Sequence, residues 1–297
     1  MEKIKRTFGF IFNHPLGKRH PLKSIFRFLL WQLQTAVSPT KLMVKVYLQG
    51  VKFYARKGLT GITGNIYSGL HEFDDMAFLL HFLREQDTFF DVGANVGSYT
   101  LLASGVCGSA SITLEPVPST FALLQKNIEL NKLNDRVSPI NSGVGSTQGT
   151  LTFSSDGDTT NHVIAADETN KSDNIKVPII TIDSLLTKAH PALIKIDVEG
   201  YETEVLKGMT ETLSSSALKA IIIELNGSGE RYGFDDQKIH ELLLSHGFNA
   251  YVYDPFKRVL TLLEKSGDFN TIYCRDIDFI SDRLKNAPGI KIMGETI

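Results

Sequence analysis

The segment 88–102 constrains the fold more than any other part of this 297-residue chain. A short apolar strand, 88–90, leads into a loop and then into an apolar helix, and the loop contains Asp91, Gly93, Asn95 and Gly97. Glycines there can adopt dihedral angles closed to other residues, and a helix N-terminus offers free N–H donors. Asp91 would present a carboxylate to a ligand ammonium or hydroxyl group. The segment therefore predicts a nucleotide-binding loop in an α/β fold.

A second strand supports this interpretation. Residues 110–114 form a short apolar run that ends in Glu115, eighteen residues after Gly97. In doubly wound sheets, a carboxylate about 20 residues after the glycine loop accepts hydrogen bonds from ribose hydroxyls. A dinucleotide loop would have the pattern G-x-G-x-x-G, but Asn95 stands at its second glycine and no third glycine follows in register. The spacing therefore disfavours a nicotinamide oxidoreductase.

The pattern D-x-G-x-N-x-G followed by an acid resembles the S-adenosylmethionine loop of class I methyltransferases. The segment Asp197-Val198-Glu199-Gly200-Tyr201-Glu202 sharpens this resemblance to the FkbM family, over roughly Ile66 to Asp254. The resemblance implies a Rossmann-like fold, with a mostly parallel seven-stranded sheet and helices on both faces. It also implies S-adenosylmethionine as cofactor, O-methylation of a sugar or glycan, and a place for Glu72 near the methionine end of the cofactor. The competing interpretation of Glu72 is an acid that stabilises a helix N-terminus.

Polar residues follow the apolar strands along the chain, namely Asp91, Glu115, Asn141, Asp197 and Glu224. Ligands bind beyond the carboxyl ends of strands in open parallel sheets. We therefore expect these five side chains to line one crevice. The cofactor-binding set is predicted to be Glu72, Asp91, Gly93, Asn95, Gly97, Glu115, Asn141 and Asp197.

The remaining pattern gives a coarse outline of the elements. Residues 44–53 alternate loosely and predict a strand, whereas 58–69, with four glycines, predict turns. The polar stretch 142–175 is expected to be mostly exposed loop, with a strand-like piece at 150–153. Residues 202–213 read as one helix.

Methyl transfer to a hydroxyl needs a base as well as correct positioning. We predict Asp197, Glu199 and Glu224 as the catalytic residues; for Asp197 the alternative is that it only caps the following helix. His162, in the polar loop after residues 158–160, is a weaker candidate for the base.

We assign no resident metal, because no Cys/His cluster has zinc-ligand spacing. A divalent cation held by Asp197 and Glu224, with or without Asn226, remains an alternative, since hard oxygen ligands suit magnesium.

The chain is predicted to divide into a basic N-terminal extension, 1–57, and a methyltransferase domain, 58–297. The extension contains twelve Lys/Arg residues and the single acid Glu2. Two interpretations of residues 18–37 stay open. A helix there could lie on an anionic membrane surface, with Trp31 and Phe side chains inserted and Lys18, Lys23 and Arg27 snorkelling outward. It could instead pack on the catalytic domain or on a partner subunit in a homodimer.

The sequence thus predicts an S-adenosylmethionine-dependent methyltransferase that acts on a sugar, glycan or glycosylated metabolite. The alternative is a catalytically inactive binding or scaffold protein with a nucleotide-type fold, recruited to membranes by its basic N-terminus. We expect no nucleic-acid partner. The expected location is cytoplasmic, with peripheral contact to the inner membrane surface as the alternative, because the apolar stretch is too short to span a bilayer.

Overall fold

The computed structural model describes residues 2–154, 161–165, 174–267 and 269–297. Three helices, a hairpin and two further helices come first: α1 (Glu2–Asn13), α2 (Pro15–Arg19), α3 (Pro21–Val37), β1 (Met43–Val46), β2 (Lys52–Ala55), α4 (Thr60–Ser68) and α5 (Phe73–Phe82). Helices α2 and α3 each begin with a proline, whose missing N–H is one that a helix leaves unpaired anyway. The fold thus begins with a helical segment ahead of its central sheet.

Two sequence predictions for this segment are wrong. Residues 44–53 form a hairpin rather than one strand, because Gln49 and Gly50 both have positive φ and reverse the chain. Residues 58–69 contain helix α4 rather than turns. Gly64 lies inside that helix, and a Cβ built on it would meet the His71 ring at 2.6 Å. This glycine therefore serves close packing and not a turn.

The middle of the chain alternates strands and helices: β3 (Thr88–Val92), α6 (Ser98–Gly105), β4 (Ala110–Leu114), α7 (Pro118–Leu130), β5 (Val137–Ile140), β6 (Gly143–Val144), β7 (Gly149–Ser154), β8 (Asn174–Ile180), a 3₁₀ turn (Asp183–Leu185) and β9 (Leu193–Ile196). The C-terminal part continues this alternation: α8 (Glu202–Lys207), α9 (Thr210–Ser214), β10 (Ala220–Glu224), a 3₁₀ turn (Ser228–Tyr232), α10 (Asp236–Ser245), β11 (Asn249–Asp254), β12 (Val259–Leu262), β13 (Asn270–Cys274), α11 (Ile277–Lys285), β14 (Lys291–Ile292) and β15 (Glu295–Thr296). The predicted helix 202–213 is therefore split into two. Gly208 lies at the break, against the Gly145 carbonyl.

The main sheet has the strand order β12-β11-β13-β10-β9-β3-β4-β5. The neighbours from β10 to β5 are all parallel, whereas β13 is antiparallel to both of its neighbours and β12 is antiparallel to β11. The predicted fold class, Rossmann-like with a mostly parallel sheet, is confirmed. The sheet has eight strands rather than the predicted seven, because β12 adds an antiparallel edge strand.

A second, three-stranded sheet of order β6-β8-β7 follows the main sheet in the chain. Its strands lie within 143–180, so the expectation of mostly exposed loop over 142–175 is wrong for the described part of that stretch. Val177 and Ile179 on β8 pack with Phe153 and Val163 in a small apolar cluster of their own. Residues 155–160 and 166–173, which the loop prediction also covers, lie outside the described residues.

The N-terminal extension packs on the rest of the protein. Ile11, Leu16, Phe28 and Trp31 belong to the same large apolar cluster as helix α5 and one face of the main sheet. Trp31 is 3% exposed, so the membrane hypothesis was wrong to place its side chain in lipid. No helix in the described part of the chain combines the length and the hydropathy that crossing a bilayer requires.

The C-terminal hairpin of β14 and β15 holds this extension in place. The Lys23 ammonium donates to the Met293 carbonyl at 2.9 Å, and Arg27 contacts the Met293 sulfur. Glu295 accepts from His20 at 2.8 Å and from Arg19 at 3.4 Å. These contacts join the two ends of the chain, so Lys23 and Arg27 bind protein atoms rather than simply snorkelling outward.

Candidate active site

A cavity of about 860 Å³ lies beyond the carboxyl ends of β3, β4, β9 and β10. One side is formed by the polar residues at these strand ends. The opposite walls come from helices α1, α3 and α4 and from the small sheet, including Phe28, Trp31 and Phe153. Its described lining includes six acids and two lysines, namely Glu72, Asp91, Glu115, Asp197, Glu199, Glu224, Lys57 and Lys195. The cavity is therefore strongly acidic.

The loop after β3 brings two strand ends into contact. Gly93 has φ of 80°, and a Cβ built on it would lie 1.8 Å from the Asp197 carbonyl oxygen. The Asp197 N–H donates to the Val92 carbonyl at 3.0 Å. Only glycine allows this backbone approach, because any other side chain would displace the neighbouring peptide group. The predicted cofactor loop and the predicted catalytic turn are thus directly packed on each other.

Gly97, the second glycine of the loop, has a packing role. It is the residue before helix α6, in a left-handed conformation with φ of 94°. A Cβ on Gly97 would meet Leu124 of helix α7 at 2.7 Å. Gly97 is not among the described residues that line the cavity, whereas Gly93 and Asn95 are.

Asp91 lines the cavity but is engaged within the protein. Its Oδ2 accepts from the Thr100 N–H at 3.0 Å and from the Thr100 hydroxyl at 2.5 Å. Burial raises the pKa of Asp91 to about 6, and the Thr100 hydrogen bonds oppose part of that rise. Asp91 therefore fixes the start of helix α6 at the edge of the cavity.

Glu115 is held by two backbone donors. Its Oε2 accepts from the Asn95 N–H and its Oε1 from the Val117 N–H, each at 2.9 Å. Burial raises the pKa of Glu115 to about 7, against the effect of these two bonds. Each carboxylate oxygen keeps a lone pair for a ligand hydroxyl.

Asn141 hydrogen-bonds to the backbone that carries Glu115. Its side-chain amide donates to the carbonyls of Glu115 and Pro116, at 2.8 and 3.0 Å. Asn141 is not among the described lining residues, although the sequence prediction placed it in the crevice. It therefore orders the backbone that carries Glu115.

Glu72 also lines the cavity. It precedes helix α5, but its side chain makes no capping hydrogen bond and instead accepts from the Tyr99 hydroxyl at 2.5 Å. Burial, with the nearby Glu72 carboxylate second, raises the pKa of Tyr99 well above its usual range. Tyr99 therefore stays protonated and donates to Glu72.

Lys195 is the residue that the sequence prediction missed. Its side chain is 2% exposed, and its ammonium donates to Asp197 Oδ2 at 3.0 Å. Burial alone would lower the pKa of Lys195, but the carboxylates of Asp197, Glu72 and Glu224 together raise it. A sequence signal existed: residues i and i+2 of a strand share a face, so a lysine two positions before the strand-tip acid predicts an ion pair.

The three predicted catalytic acids are brought together. Asp197, Glu199 and Glu224 each place a carboxylate oxygen within 4.8 Å of the other two. Burial, with the Asp197 charge second, raises the pKa of Glu199 to about 7. The same two causes raise that of Glu224 to about 9, with a hydrogen bond to Asp197 adding to the rise. At neutral pH Glu224 therefore carries a proton, whereas Glu199 is poised between its two states.

Such a trio of oxygen donors could hold a hard divalent cation. The Lys195 ammonium already supplies a positive charge at this cluster. Asp197 and Glu224, two ligands of the metal alternative, belong to this trio, and the Asn226 side-chain oxygen accepts from the Ser228 N–H. The metal alternative stays a prediction, and we derive no catalytic step through a metal.

Local hydrogen bonds decide one further sequence hypothesis, the cap role of Asp197, and the cavity lining bears on another, the role of His162. The residue that caps the turn after β9 is Glu202, which accepts from the N–H groups of Val198 and Gly200. Asp197 instead pairs with Lys195, so the interpretation of Asp197 as a helix cap is wrong. His162 is not among the described lining residues, although its neighbours Asn161 and Val163 are.

A comparison with known protein families identifies the family of this chain. The model of the methyltransferase FkbM domain matches residues 91–250, which span the loop after β3, the acidic trio and most of the main sheet. The chain belongs to the FkbM methyltransferase family. Its identification by sequence as an FkbM-type, S-adenosylmethionine-dependent enzyme is confirmed.

Individual relatives of this FkbM methyltransferase are moderately similar. Hexuronic acid methyltransferase AglP of Haloferax volcanii is 31% identical over 178 residues, which cover 58% of this chain and 67% of that relative. Methyltransferase sdnD of Sordaria araneosa is 25% identical over 210 residues, covering 60% of this chain and 79% of that one. The crystal structure of methyltransferase FkbM from Methylobacillus flagellatus KT aligns with a TM-score of 0.46 at 16% identity, covering 72% of this chain and 52% of that chain.

Proposed function

We propose that this FkbM methyltransferase transfers a methyl group from S-adenosylmethionine to a hydroxyl of a sugar, glycan or glycosylated metabolite. The observation that carries the proposal is the acidic cavity at the strand ends, with six carboxyl groups and two lysines in its described lining. At neutral pH S-adenosylmethionine carries a net positive charge, from its ammonium and sulfonium groups against one carboxylate. An acidic cavity favours such a ligand.

The residues of the first half of the cavity fit the cofactor. Glu115 has free acceptor lone pairs for ribose hydroxyls, and Glu72 offers a carboxylate to the ammonium group. Gly93 and Asn95 also line the cavity, and the Asn95 N–H donates to Glu115. When bound, S-adenosylmethionine supplies an electrophilic methyl group on sulfur. The protein's own task is to hold the acceptor in line with that methyl group and to take its proton.

Glu199 is the best-suited base. A general base works best when its pKa lies near the working pH, and that of Glu199 is raised to about 7. Its unprotonated form would take the proton of the acceptor hydroxyl, while the oxygen lone pair forms the new bond to carbon and the electrons of the broken bond remain on sulfur. Asp197 and protonated Glu224 would orient the acceptor through hydrogen bonds, and the Lys195 ammonium would hold the Asp197 side chain in place.

The sugar acceptor is supported by a relative. Methyltransferase AglP of Haloferax volcanii bears the name hexuronic acid methyltransferase and is 31% identical over 178 residues. The cavity volume of about 860 Å³ also leaves room for an acceptor beside the cofactor, since ligand pockets measure about 300 to 1,000 Å³.

Two measurements test this proposal separately. Calorimetry should show S-adenosylmethionine binding that weakens in Glu115→Gln and is unchanged in Glu199→Gln. A labelled-methyl transfer screen against neutral glycosides, uronic acid glycosides and glycolipids should show turnover that falls by roughly 10²-fold or more in Glu199→Gln. Turnover should survive a chelator, because no step uses a metal.

The possible results separate the alternatives. Absence of cofactor binding by the wild type, or undiminished binding by Glu115→Gln, would overturn the cofactor site. Cofactor binding without transfer to any acceptor in the screen would favour the alternative of an inactive binding or scaffold protein. Loss of turnover with the chelator would indicate that the acidic trio holds a metal ion that the reaction needs.

A further inference from the structure

The N-terminal helix α3 is apolar on two opposite faces. Ser24, Phe28, Trp31 and Thr35 are buried against the protein. The other face carries six exposed apolar side chains at helical spacing, namely Leu22, Phe26, Leu29, Leu30, Leu33 and Val37. Leu22 is 82% exposed, Phe26 66% and Leu33 67%. We call these six residues the outer stripe.

A stripe of this kind marks an interaction surface. A helix that only packs on its own domain needs one apolar face, with polar residues on the other. Scattered exposed apolar residues are normal, but contiguous ones point to a protein or membrane partner. Helix α3 has 17 residues, and no described helix meets the requirements of a membrane span. The outer stripe therefore fits contact along a surface and not insertion across one.

The basic residues around helix α3 indicate which kind of partner the outer stripe contacts. Exposed basic residues precede and follow helix α3, among them Lys18, Arg19 and Lys41. The sequence from Lys3 to Lys57 contains no aspartate or glutamate. A second copy of this chain, bound through the same face about a two-fold axis, would bring two basic segments together and lose binding energy to repulsion. An anionic surface gains from both the apolar stripe and its basic flanks.

The same helix also forms a wall of the cavity. Phe28, Trp31 and Thr35 line it from the buried face of α3. Gln32 lines it as well, and yet belongs to the exposed residues between Leu29 and Leu33. The cavity therefore reaches the protein surface beside the outer stripe.

We propose that the outer stripe docks on an anionic lipid bilayer, with helix α3 lying in the plane of the interface. Phe26 and the leucines enter the headgroup and acyl boundary, while Lys18 and Lys41 meet anionic headgroups. Docking in this orientation sets the cavity opening near Gln32 at the lipid surface. The proposal concerns binding alone and does not depend on the methyl-transfer assignment.

Co-sedimentation of the full chain with vesicles tests this. Wild type should bind vesicles of phosphatidylcholine mixed with phosphatidylglycerol, bind pure phosphatidylcholine vesicles more weakly, and lose binding as salt is raised. The double variant Phe26→Ser, Leu33→Ser should bind the mixed vesicles at least about 10-fold more weakly, because two large apolar side chains no longer enter the bilayer. Both side chains are exposed, so its melting temperature should match that of wild type.

A matched control comes from the edge strand β12 of the main sheet. Val259 and Leu262 there are also exposed, at 47% and 61%. Lys257 and Arg258 precede them, but Asp254 and Glu264 offset these charges, so residues 254–264 carry no net positive charge. The variant Val259→Ser, Leu262→Ser should bind vesicles like wild type. Three results would overturn the proposal. The double variant Phe26→Ser, Leu33→Ser could bind as well as wild type, wild type could fail to bind, or wild type could bind both kinds of vesicle equally. A dimer that Phe26→Ser, Leu33→Ser dissolves, with no vesicle binding, would assign the stripe to a second copy instead.

Discussion

Replacing Lys195 by methionine tests the electrostatic account of the site. Methionine is close to the lysine stem in length and apolar character, so the change removes the buried ammonium with little change in packing. The Asp197 carboxylate would lose its partner at 3.0 Å. The Glu72 carboxylate would lose a nearby positive charge as well.

The expected loss of stability follows from burial. Breaking a buried ion pair costs about 3 to 5 kcal/mol. The Lys195 side chain is 2% exposed but that of Asp197 is 31% exposed, so water screens the orphaned carboxylate. We therefore expect the lower end, about 3 kcal/mol at pH 8. With an unfolding entropy of about 2.1 cal/mol/K per residue, that corresponds to a fall in melting temperature of about 5 °C for 297 residues.

The loss should depend on pH. Without Lys195, the pKa values of the nearby carboxyls rise further, so the folded variant binds protons that the unfolded chain does not bind until lower pH. Its stability is therefore retained at low pH and falls as pH rises through those values. The deficit against wild type should be smaller at pH 5.5 than at pH 8.

Thermal unfolding followed by circular dichroism at both pH values measures this. Lys207→Met is the matched control, because Lys207 forms a surface pair with Glu204 and is 56% exposed. Such pairs contribute about 0 to 1 kcal/mol, so its melting temperature should barely move. Equal shifts for the two variants, or a deficit of Lys195→Met that does not change with pH, would refute the reasoning.

Three further substitutions probe other contacts. Gly93→Ala should weaken S-adenosylmethionine binding at least about 10-fold by calorimetry, because its Cβ would displace the Asp197 carbonyl and strain the loop; unchanged affinity would contradict this. The melting temperature of Glu224→Gln should rise relative to that of wild type between pH 5 and 9. Burial raises the pKa of Glu224 in the folded wild type, so its unfolded chain ionises at lower pH and wild type loses stability as pH rises, which glutamine does not. A difference that does not change with pH would contradict this. Asn127→Ala should lower the unfolding free energy by about 3 kcal/mol in urea, because it removes buried bonds to the Tyr54 N–H and the Val96 carbonyl; a loss below about 1 kcal/mol would refute it.

The strand ends were predictable because continuous apolar runs identify buried parallel strands and polar residues mark where they stop. That rule alone identifies four residues of the site, namely Asp91, Glu115, Asp197 and Glu224. Lys195 was missed because it lies inside such a run, where only its partner two residues later explains its presence.

Other features depend on contacts that local sequence does not show. Helix α4 contains Gly61 and Gly64, and helix propensity alone argues against it. Tertiary packing decides otherwise, since the His71 ring fills the space that a Gly64 side chain would occupy. Likewise, the small sheet forms in a stretch rich in turn residues. Its β8 residues Val177 and Ile179 pack on Phe153 and Val163, which lie 14 or more residues earlier in the chain.

The contact between Gly93 and the Asp197 carbonyl also limits how this enzyme can change. Because these two loops share one tight interface, a change in the shape of either loop would disturb the other, so the proposed cofactor loop and the proposed catalytic turn must change together. Variation is left to the opposite walls, helix α3 and the small sheet, which meet the cavity through side chains such as Trp31 and Phe153. An engineer seeking a new acceptor should therefore randomise those walls and leave the strand ends untouched.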